Sequence, residues 1–392
     1  VFSAVLNPRH LTDLIFLFTV AVAQGITVWL TLRGPAVRSR PWIRYVVLSA
    51  GAVSGIALML AFLLRFERVL RHFPMVLFSW LEGIVMTWAA LSLAWLAALW
   101  FSRVFLKATP EYSAARRGFL RVARGVLFAA PAAVVGYGMF VERRRIKLRE
   151  QEIAMPGLAP DLDGLKIVQL TDIHLSAFLS VVELERAVEI ANATRAHIAL
   201  VTGDLISFRA DPLDDCLNRL KALRAEAGVF GCLGNHEIYT QTEKYVTEQG
   251  ARFGMRMLRL ENHRLRFGAA RLNLAGVDYQ RRASGATYLR GAEKLIEPGA
   301  FNVLLSHNPD VFPVAARQGY QLTIAGHTHG GQVRVEILRQ DLNVARFFTP
   351  YVDGLYRRDD KAIFVSRGIG TIALPARLGA PPEVALLTLR RG

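Results

Sequence analysis

Five short stretches of this 392-residue chain put Asp, His and Asn side chains where they could grip metal ions. They are Asp172-Ile173-His174, Gly203-Asp204, Gly234-Asn235-His236-Glu237, Ser306-His307-Asn308 and Gly326-His327-Thr328-His329. An Asp and a His two residues apart, leaving a strand end on one side, can chelate one ion. A carboxylate has two oxygens, so Asp204 could bridge a pair. Neutral imidazoles and the Asn235 carbonyl would complete a mixed nitrogen and oxygen shell, which suits Mn²⁺, Fe or Zn²⁺ better than Ca²⁺. Gly203, Gly234 and Gly326 are expected to permit tight turns that aim the next side chain at the metals. A single histidine at a strand end is more often structural than ligating, and His307 alone would say little. The ordered set of five stretches carries the expectation; His197 and His263 lack such company and read as packing or surface residues.

Such side chains need a rigid frame, and the surrounding pattern supplies one. Leu165–Leu170, Ile198–Val201, Val229–Leu233, Leu272–Val277, Val303–Leu305, Leu322–Ala325, Ala362–Val365 and Ala385–Leu389 read as short strands. Helical spacing is expected over Val181–Ala193, Leu213–Ala225, Thr240–Gln249 and Pro309–Arg317. Strands alternating with helices argue for a layered α/β domain. The five stretches follow strand ends, where open α/β sheets hold their ligands.

Before this domain the chain is apolar and basic. Residues 1–150 hold 19 Lys and Arg against 6 Asp and Glu, which leaves 29 against 26 for residues 151–392. The whole-chain net charge of +16 therefore belongs mainly to the first part, which favours a lipid bilayer over nucleic acid as partner. Leu14–Leu32, Ile43–Leu64, Met75–Phe101 and Phe119–Val141 are each about the ~20 residues a helix needs to cross a bilayer. Four spans are expected, in a transmembrane region of residues 1–148 preceding a domain of residues 149–392. Basic residues nearly balance across the two sides: Arg33, Arg38, Arg40, Arg44, Arg103, Lys107, Arg116, Arg117, Arg121 and Arg124 against Arg9, Arg65, Arg68, Arg71, Arg143, Arg144, Arg145, Lys147 and Arg149. The dense run after the fourth span tilts the expectation toward a cytoplasmic second domain. Gly51 and Gly55 form a G-x-x-x-G that could let helices approach. Glu82 is the one acid well inside a span. The two cysteines, Cys216 and Cys232, lack metal-site spacing and read as buried free thiols.

With these motifs in hand, residues 150–392 resemble the calcineurin-like metallophosphoesterase superfamily. Leu165–Leu175, Gly326–Val333 and Ser366–Pro382 look like its bacterial phosphodiesterase branch, and the preceding spans resemble transmembrane proteins with a metallophosphoesterase domain. The resemblance implies two β-sheets packed face to face and flanked by helices. It implies one metal held by Asp172, His174, Asp204 and His329, and a second by Asp204, Asn235, His307 and His327. His236 corresponds to a non-ligand histidine beside the scissile phosphate. Ser207 stands where many relatives carry a second Asp. In this chemistry paired ions activate water for in-line attack at phosphorus.

Anchoring suggests a lipid-linked phosphodiester or pyrophosphate substrate in a bacterial inner membrane. The branch resemblance implies UDP-2,3-diacylglucosamine hydrolysis, in lipid A synthesis, as a specific candidate. Arg281, Arg282 and Arg290 could meet substrate phosphates, though a solvated loop face explains them more simply. A broad phosphodiesterase of soluble nucleotides is the first alternative. A non-catalytic metal-binding receptor or scaffold is the second, and the intact set including His236 argues against it.

Overall fold

The computed structural model describes residues 8–34, 37, 40–63, 75–106, 112–281, 288–337 and 340–392. The chain divides into two compact units: one ends at Tyr137 and includes Ala373–Pro375, and the other comprises Gly138–Ile372 with Ala376–Gly392.

The first unit contains α1 (Pro8–Leu32), α2 (Trp42–Leu63), α3 (Met75–Phe105) and most of α4 (Ala114–Phe140). Among the described residues, three stretches are long and apolar enough to cross a bilayer: Trp42–Leu60, Val76–Phe105 and Ala114–Arg144. In α1 the apolar stretch among the residues whose side chains are described is Phe18–Leu32, and the start of the expected Leu14–Leu32 span lies outside them. The other three expected spans are matched by helices long and apolar enough to cross. Their large apolar side chains face outward, Trp42, Tyr45, Val53, Trp100 and Phe119 among them. Helices apolar all round with so little buried suit a hydrocarbon solvent rather than water. Among the described residues, a small cluster of Val20, Leu58, Val85 and Ala89 forms an interior. A Cβ on Gly51 would lie 3.1 Å from Val28 Cγ2 of α1, whereas one on Gly55 would meet nothing within 4 Å. One glycine of the expected pair thus serves helix contact. Glu82 is half-buried and engaged with a neighbour. Arg38, Arg65, Arg68, Arg71 and Lys107, with the side chain of Arg9, lie outside the described residues.

The second unit runs β1 (Lys147–Met155), β2 (Lys166–Leu170), α5 (Val181–Ala193), β3 (Ile198–Val201), α6 (Leu213–Leu220) and β4 (Val229–Gly231). It continues with α7 (Asn235–Thr240), α8 (Glu243–Arg252), β5 (Met255–Met257), β6 (Glu261–Phe267), β7 (Ala270–Gly276), β8 (Phe301–Leu305) and α9 (Phe312–Gln318). The remainder is β9 (Leu322–Ala325), the ribbon β10 (Arg334–Ile337) and β11 (Gln340–Asn343), then β12 (Gly354–Arg358), β13 (Lys361–Val365) and β14 (Glu383–Arg391). Two mixed six-stranded sheets result, ordered β1-β14-β2-β3-β4-β5 and β12-β13-β9-β8-β7-β6. Ile167, Leu200 and Phe230 of the first sheet meet Leu274, Val303, Ile324 and Phe364 of the second in one buried layer. Leu184 and Val188 of α5 and Leu217 of α6 cover the outer face of the first sheet. Val311 and Ala315, leading into and along α9, pack with Leu304 on the other side. The fully buried runs of β3, β8 and β9, apolar apart from Asn302 and Thr323, follow from this burial on both faces.

Three sequence expectations change. The helix expected over Thr240–Gln249 is two helices, broken where Gln241 turns left-handed at φ 57°. The helix from Leu213 stops at Leu220 rather than Ala225. The basic run after α4 is partly consumed by folding of the second unit. Arg143 is buried and donates to the carbonyls of Met139 and Phe178. Lys147 and Arg149 belong to β1, and Arg149 pairs with Glu383 and Asp353. Charges used this way are weaker determinants of membrane orientation.

Candidate metal centre

All eight site residues expected from the sequence converge in the second unit. Asp172 and His174 follow β2, Asp204 follows β3, and Asn235 and His236 open α7 after β4. His307 follows β8, while His327 and His329 follow β9. Adjacent β2, β3 and β4 belong to one sheet, and adjacent β8 and β9 to the other. The site therefore spans the strand ends of both sheets.

The local backbone is strained in a consistent way. Asp172 (φ 49°), His174 (45°), Asp204 (56°), His327 (77°) and His329 (52°) all adopt left-handed conformations unusual for residues with a Cβ. Such outliers persist only where surrounding structure over-determines them. The glycines contribute differently from expectation. Gly203 does turn left-handed, at φ 93°. Gly234 and Gly326 do not; they are needed for space, since a Cβ on either would collide with the carboxylate of Asp204 or Asp172 respectively.

Each side chain is held from behind. His307 Nδ1 donates to the Thr202 carbonyl at 2.7 Å, which directs Nε2 inward. His174 Nδ1 lies 2.9 Å from the Ser207 hydroxyl. Ser207, the visible departure from the family pattern, thus supports a ligand candidate directly. His236 Nδ1 donates to the Ser207 carbonyl at 2.7 Å, and its backbone N–H donates to Asp204 Oδ1 at 2.8 Å. The Asp172 carboxylate accepts the His327 N–H at 3.0 Å.

Three sets of potential ligand atoms lie within 4.8 Å of one another: Asp172 with His174 and His329; His174 with Asp204 and His236; and Asp204 with His307 and His327. The first contains three residues of one expected ligand set, and the last contains three of the other, Asp204 falling with His307 and His327. The middle set includes His236, so proximity alone does not separate it from the ligands. His174 Nε2, His307 Nε2 and Asn235 Oδ1 are buried with no hydrogen-bond partner. Buried polar atoms left unpaired are costly, and three pointing to one place call for a common partner. Their lone pairs, beside two carboxylates, fit divalent cations.

The electrostatics agree. Burial holds His174 and His329 well below the usual imidazole range and brings His327 down to about 3, so these rings are neutral donors. Burial would lower His307 too, but Asp204 and Asp172 outweigh it and push that ring up to about 10. Its Nε2 sits 3.0 Å from Asp204 Oδ2. The carboxylates demand a positive charge there, which either a protonated His307 or a metal cation would supply. Against the raising effect of burial, His307 and His236 hold Asp204 well below the carboxylate range.

Two supporting residues escaped the sequence reading. Glu237, fully buried, accepts the backbone N–H groups of Asp204 at 2.9 Å, Leu205 at 2.8 Å and Gly234 at 2.7 Å, fixing the Asp204 turn against α7. Its position in G-N-H-E was the available signal. Arg377 is fully buried and donates to the carbonyls of His329 and Arg367, each at 2.8 Å, and of Gly370. Burial lowers it to about 10, so it stays charged at neutral pH. Nothing local in Ala376-Arg377-Leu378 announces that role. His197 accepts the Lys166 N–H, and His263 packs on Phe230, both apart from the cluster. Arg281 and Arg290 are exposed, and Arg282 lies outside the described residues. Cys216 and Cys232 are buried free thiols.

Residues 165–331 match the family of calcineurin-like phosphoesterases. The chain carries a calcineurin-like metallophosphoesterase domain. It is 27% identical over 288 residues to the metallophosphoesterase YkuE of Bacillus subtilis, covering 70% of this chain and 97% of that one. A transmembrane protein with metallophosphoesterase domain from Bos taurus is 30% identical over 291 residues, covering 70% of this chain and 64% of that one. A metallophosphoesterase of Aquifex aeolicus is 29% identical over 276 residues, covering 68% and 97% respectively.

Proposed function

We propose that this protein is a membrane-anchored, metal-dependent phosphoester hydrolase whose Asp172, His174, Asp204 and His329 hold one divalent ion and whose Asp204, Asn235, His307 and His327 hold a second. The observation that carries this reading is the clustering of Asp172, His174, Asp204, His307, His327 and His329, together with the buried, unpartnered His174 Nε2, His307 Nε2 and Asn235 Oδ1. Divalent ions bound there would supply Lewis-acid polarisation of a phosphoryl group and activation of water. The chain's residues do the rest. Glu237 fixes the Asp204 turn, and the bonds of the Thr202 carbonyl to His307 and of the Ser207 hydroxyl to His174 fix the imidazole directions. His236, pinned through Nδ1, offers its other ring nitrogen to stabilise charge on the phosphoryl group or to protonate the leaving oxygen.

The substrate we favour is a lipid-linked phosphodiester or pyrophosphate, with UDP-2,3-diacylglucosamine as the specific candidate and a bacterial inner membrane as the setting. The apolar helices on the same chain support it, as do Phe347 and Phe348, whose rings are 85% and 62% exposed. A cavity of about 280 Å³ lined by Tyr279, Asn308, Asp310, His327 and Phe348 adjoins the centre. Its size suits a polar head rather than acyl chains, which keeps a soluble nucleotide diester as a second reading. Mn²⁺ is the favoured ion, with Fe and Zn²⁺ as alternatives.

Purified protein assayed with each metal against a panel from an aryl phosphodiester to UDP-2,3-diacylglucosamine tests all of this. Metal-dependent turnover, fastest on the lipid-linked substrate, is expected. A protein that binds two metals yet hydrolyses no member of a broad phosphoester panel would overturn the enzymatic reading. A topology reporter on the C-terminus tests the cytoplasmic placement of the second unit.

A further inference from the structure

Within the helical unit lies a cavity of about 550 Å³, inside the ~300–1,000 Å³ range of small-molecule sites. Gln24, Thr27 and Val28 of α1, Ala50, Gly51 and Ser54 of α2, Trp88, Ser92, Trp95 and Leu99 of α3 and Phe128 of α4 contribute to its wall. No Asp, Glu, Lys, Arg or His is among the lining residues.

The polar groups in this wall divide into two kinds. Some are satisfied by the helices themselves: Thr27 and Thr31 donate to carbonyls one turn back, and the Trp95 indole donates to the Phe128 carbonyl at 3.0 Å. Three are not. Gln24 Nε2, Ser54 Oγ and Trp88 Nε1 are buried and have no hydrogen-bond partner. They come from three different helices, and an indole N–H can only donate. In a hydrocarbon solvent an unmet donor has no water to turn to, so leaving it without an acceptor is costly.

We propose that this cavity binds a membrane lipid through an uncharged acceptor oxygen, an ester or amide carbonyl of its acyl chain, which meets the donors of Gln24, Ser54 and Trp88. The uncharged wall excludes a phosphate or ammonium head from the cavity itself. The apolar remainder of the wall matches the methylenes adjoining such a carbonyl. This inference stands apart from the hydrolytic site and needs nothing from it.

The test uses the full chain in lipid nanodiscs with a long-chain fatty acid methyl ester carrying a diazirine near its carbonyl. A hydrocarbon diazirine of equal length, lacking the ester, serves as control. After photolysis, ester adducts are expected on wall residues such as Val28, Ala50 and Leu99, and excess unlabelled ester should displace them. Gln24→Leu and Trp88→Phe, both conservative in volume, should each reduce wall labelling about three- to tenfold, the scale of one lost hydrogen bond. Ala50→Trp should block the cavity altogether. If the hydrocarbon labels the wall as well as the ester does, or Gln24→Leu and Trp88→Phe leave labelling unchanged, acceptor recognition is refuted. Adducts confined to outward residues such as Val53 and Trp100, without competition, would show bulk lipid contact and overturn the site.

Discussion

Two regions of this chain, the candidate metal centre and the cavity of the helical unit, each leave buried polar atoms unpaired, and they do so with opposite signs. Around the metal centre the unpaired atoms are lone pairs: His174 Nε2, His307 Nε2 and Asn235 Oδ1. In the helical unit they are an indole N–H, an amide nitrogen and a hydroxyl. Lone pairs beside carboxylates ask for a cation; donors in an uncharged wall ask for an acceptor. The surroundings differ as well. Five site residues, His174 among them, sit on left-handed backbone, and the site is braced by Glu237, Arg377 and Ser207. The donors of the cavity rest on regular helices with a small interior. Strain with bracing marks a site that must hold a fixed geometry, while a loosely lined cavity can adapt to a flexible chain.

That contrast can be broken hardest at Asp204. Asp204→Asn keeps the shape but removes the charge shared between the two halves of the site. Hydrolysis should fall on the order of a thousandfold or more, with loss of bound metal read by elemental analysis. His236→Ala should lower kcat about 10²–10⁴-fold while metal content stays near two ions per chain, separating it from the ligands. Near-normal turnover would disprove its role. Arg377→Lys cannot span the carbonyls that the guanidinium fork reaches. Metal affinity should fall about 10–100-fold, with a lower thermal midpoint. Ser207→Ala removes only the hydroxyl at His174 and should weaken metal binding by about tenfold at most; an unchanged affinity would make Ser207 a bystander.

The smallest effect concerns pH. Burial raises Asp211 to about 6, although it accepts the N–H groups of Ser207 and Phe208. Between that value and the unfolded carboxylate value the folded domain holds a proton that the unfolded chain does not. Stability therefore declines as pH rises through this window. Asp211→Asn should flatten that part of the stability–pH curve in thermal unfolding and spare activity at neutral pH.

Much of the second unit was legible because its central strands are buried on both faces. β2, β3, β8 and β9 read directly from apolar runs ended by Gly, Asp or His. β1 did not, because Lys147-Leu148-Arg149-Glu150-Gln151-Glu152 is a largely exposed edge strand whose charges resemble a membrane flank. β5 has only three residues, and β6 and β12 are partly exposed edge strands hairpinned to β7 and β13, so none of them carries a buried apolar run. The metal residues were legible from their grouping in motifs. Arg377 was not, since its partners are backbone carbonyls brought close only by folding. The need for small residues at Gly234 and Gly326 was visible, but its cause was not: a colliding carboxylate leaves no mark on a turn pattern.

The position of β14 has a consequence for synthesis. It lies between β1 and β2, pairing parallel with one and antiparallel with the other, and joins residues as far apart as Arg149 and Glu383, 234 positions along the chain. While the ribosome is still making the middle of the domain, β1 has left the last helix with no neighbour to pair with. The first sheet can close only after Glu383–Arg391 has emerged. An interval therefore separates membrane insertion from domain closure, and during it an open strand edge is available to chaperones or to misassembly.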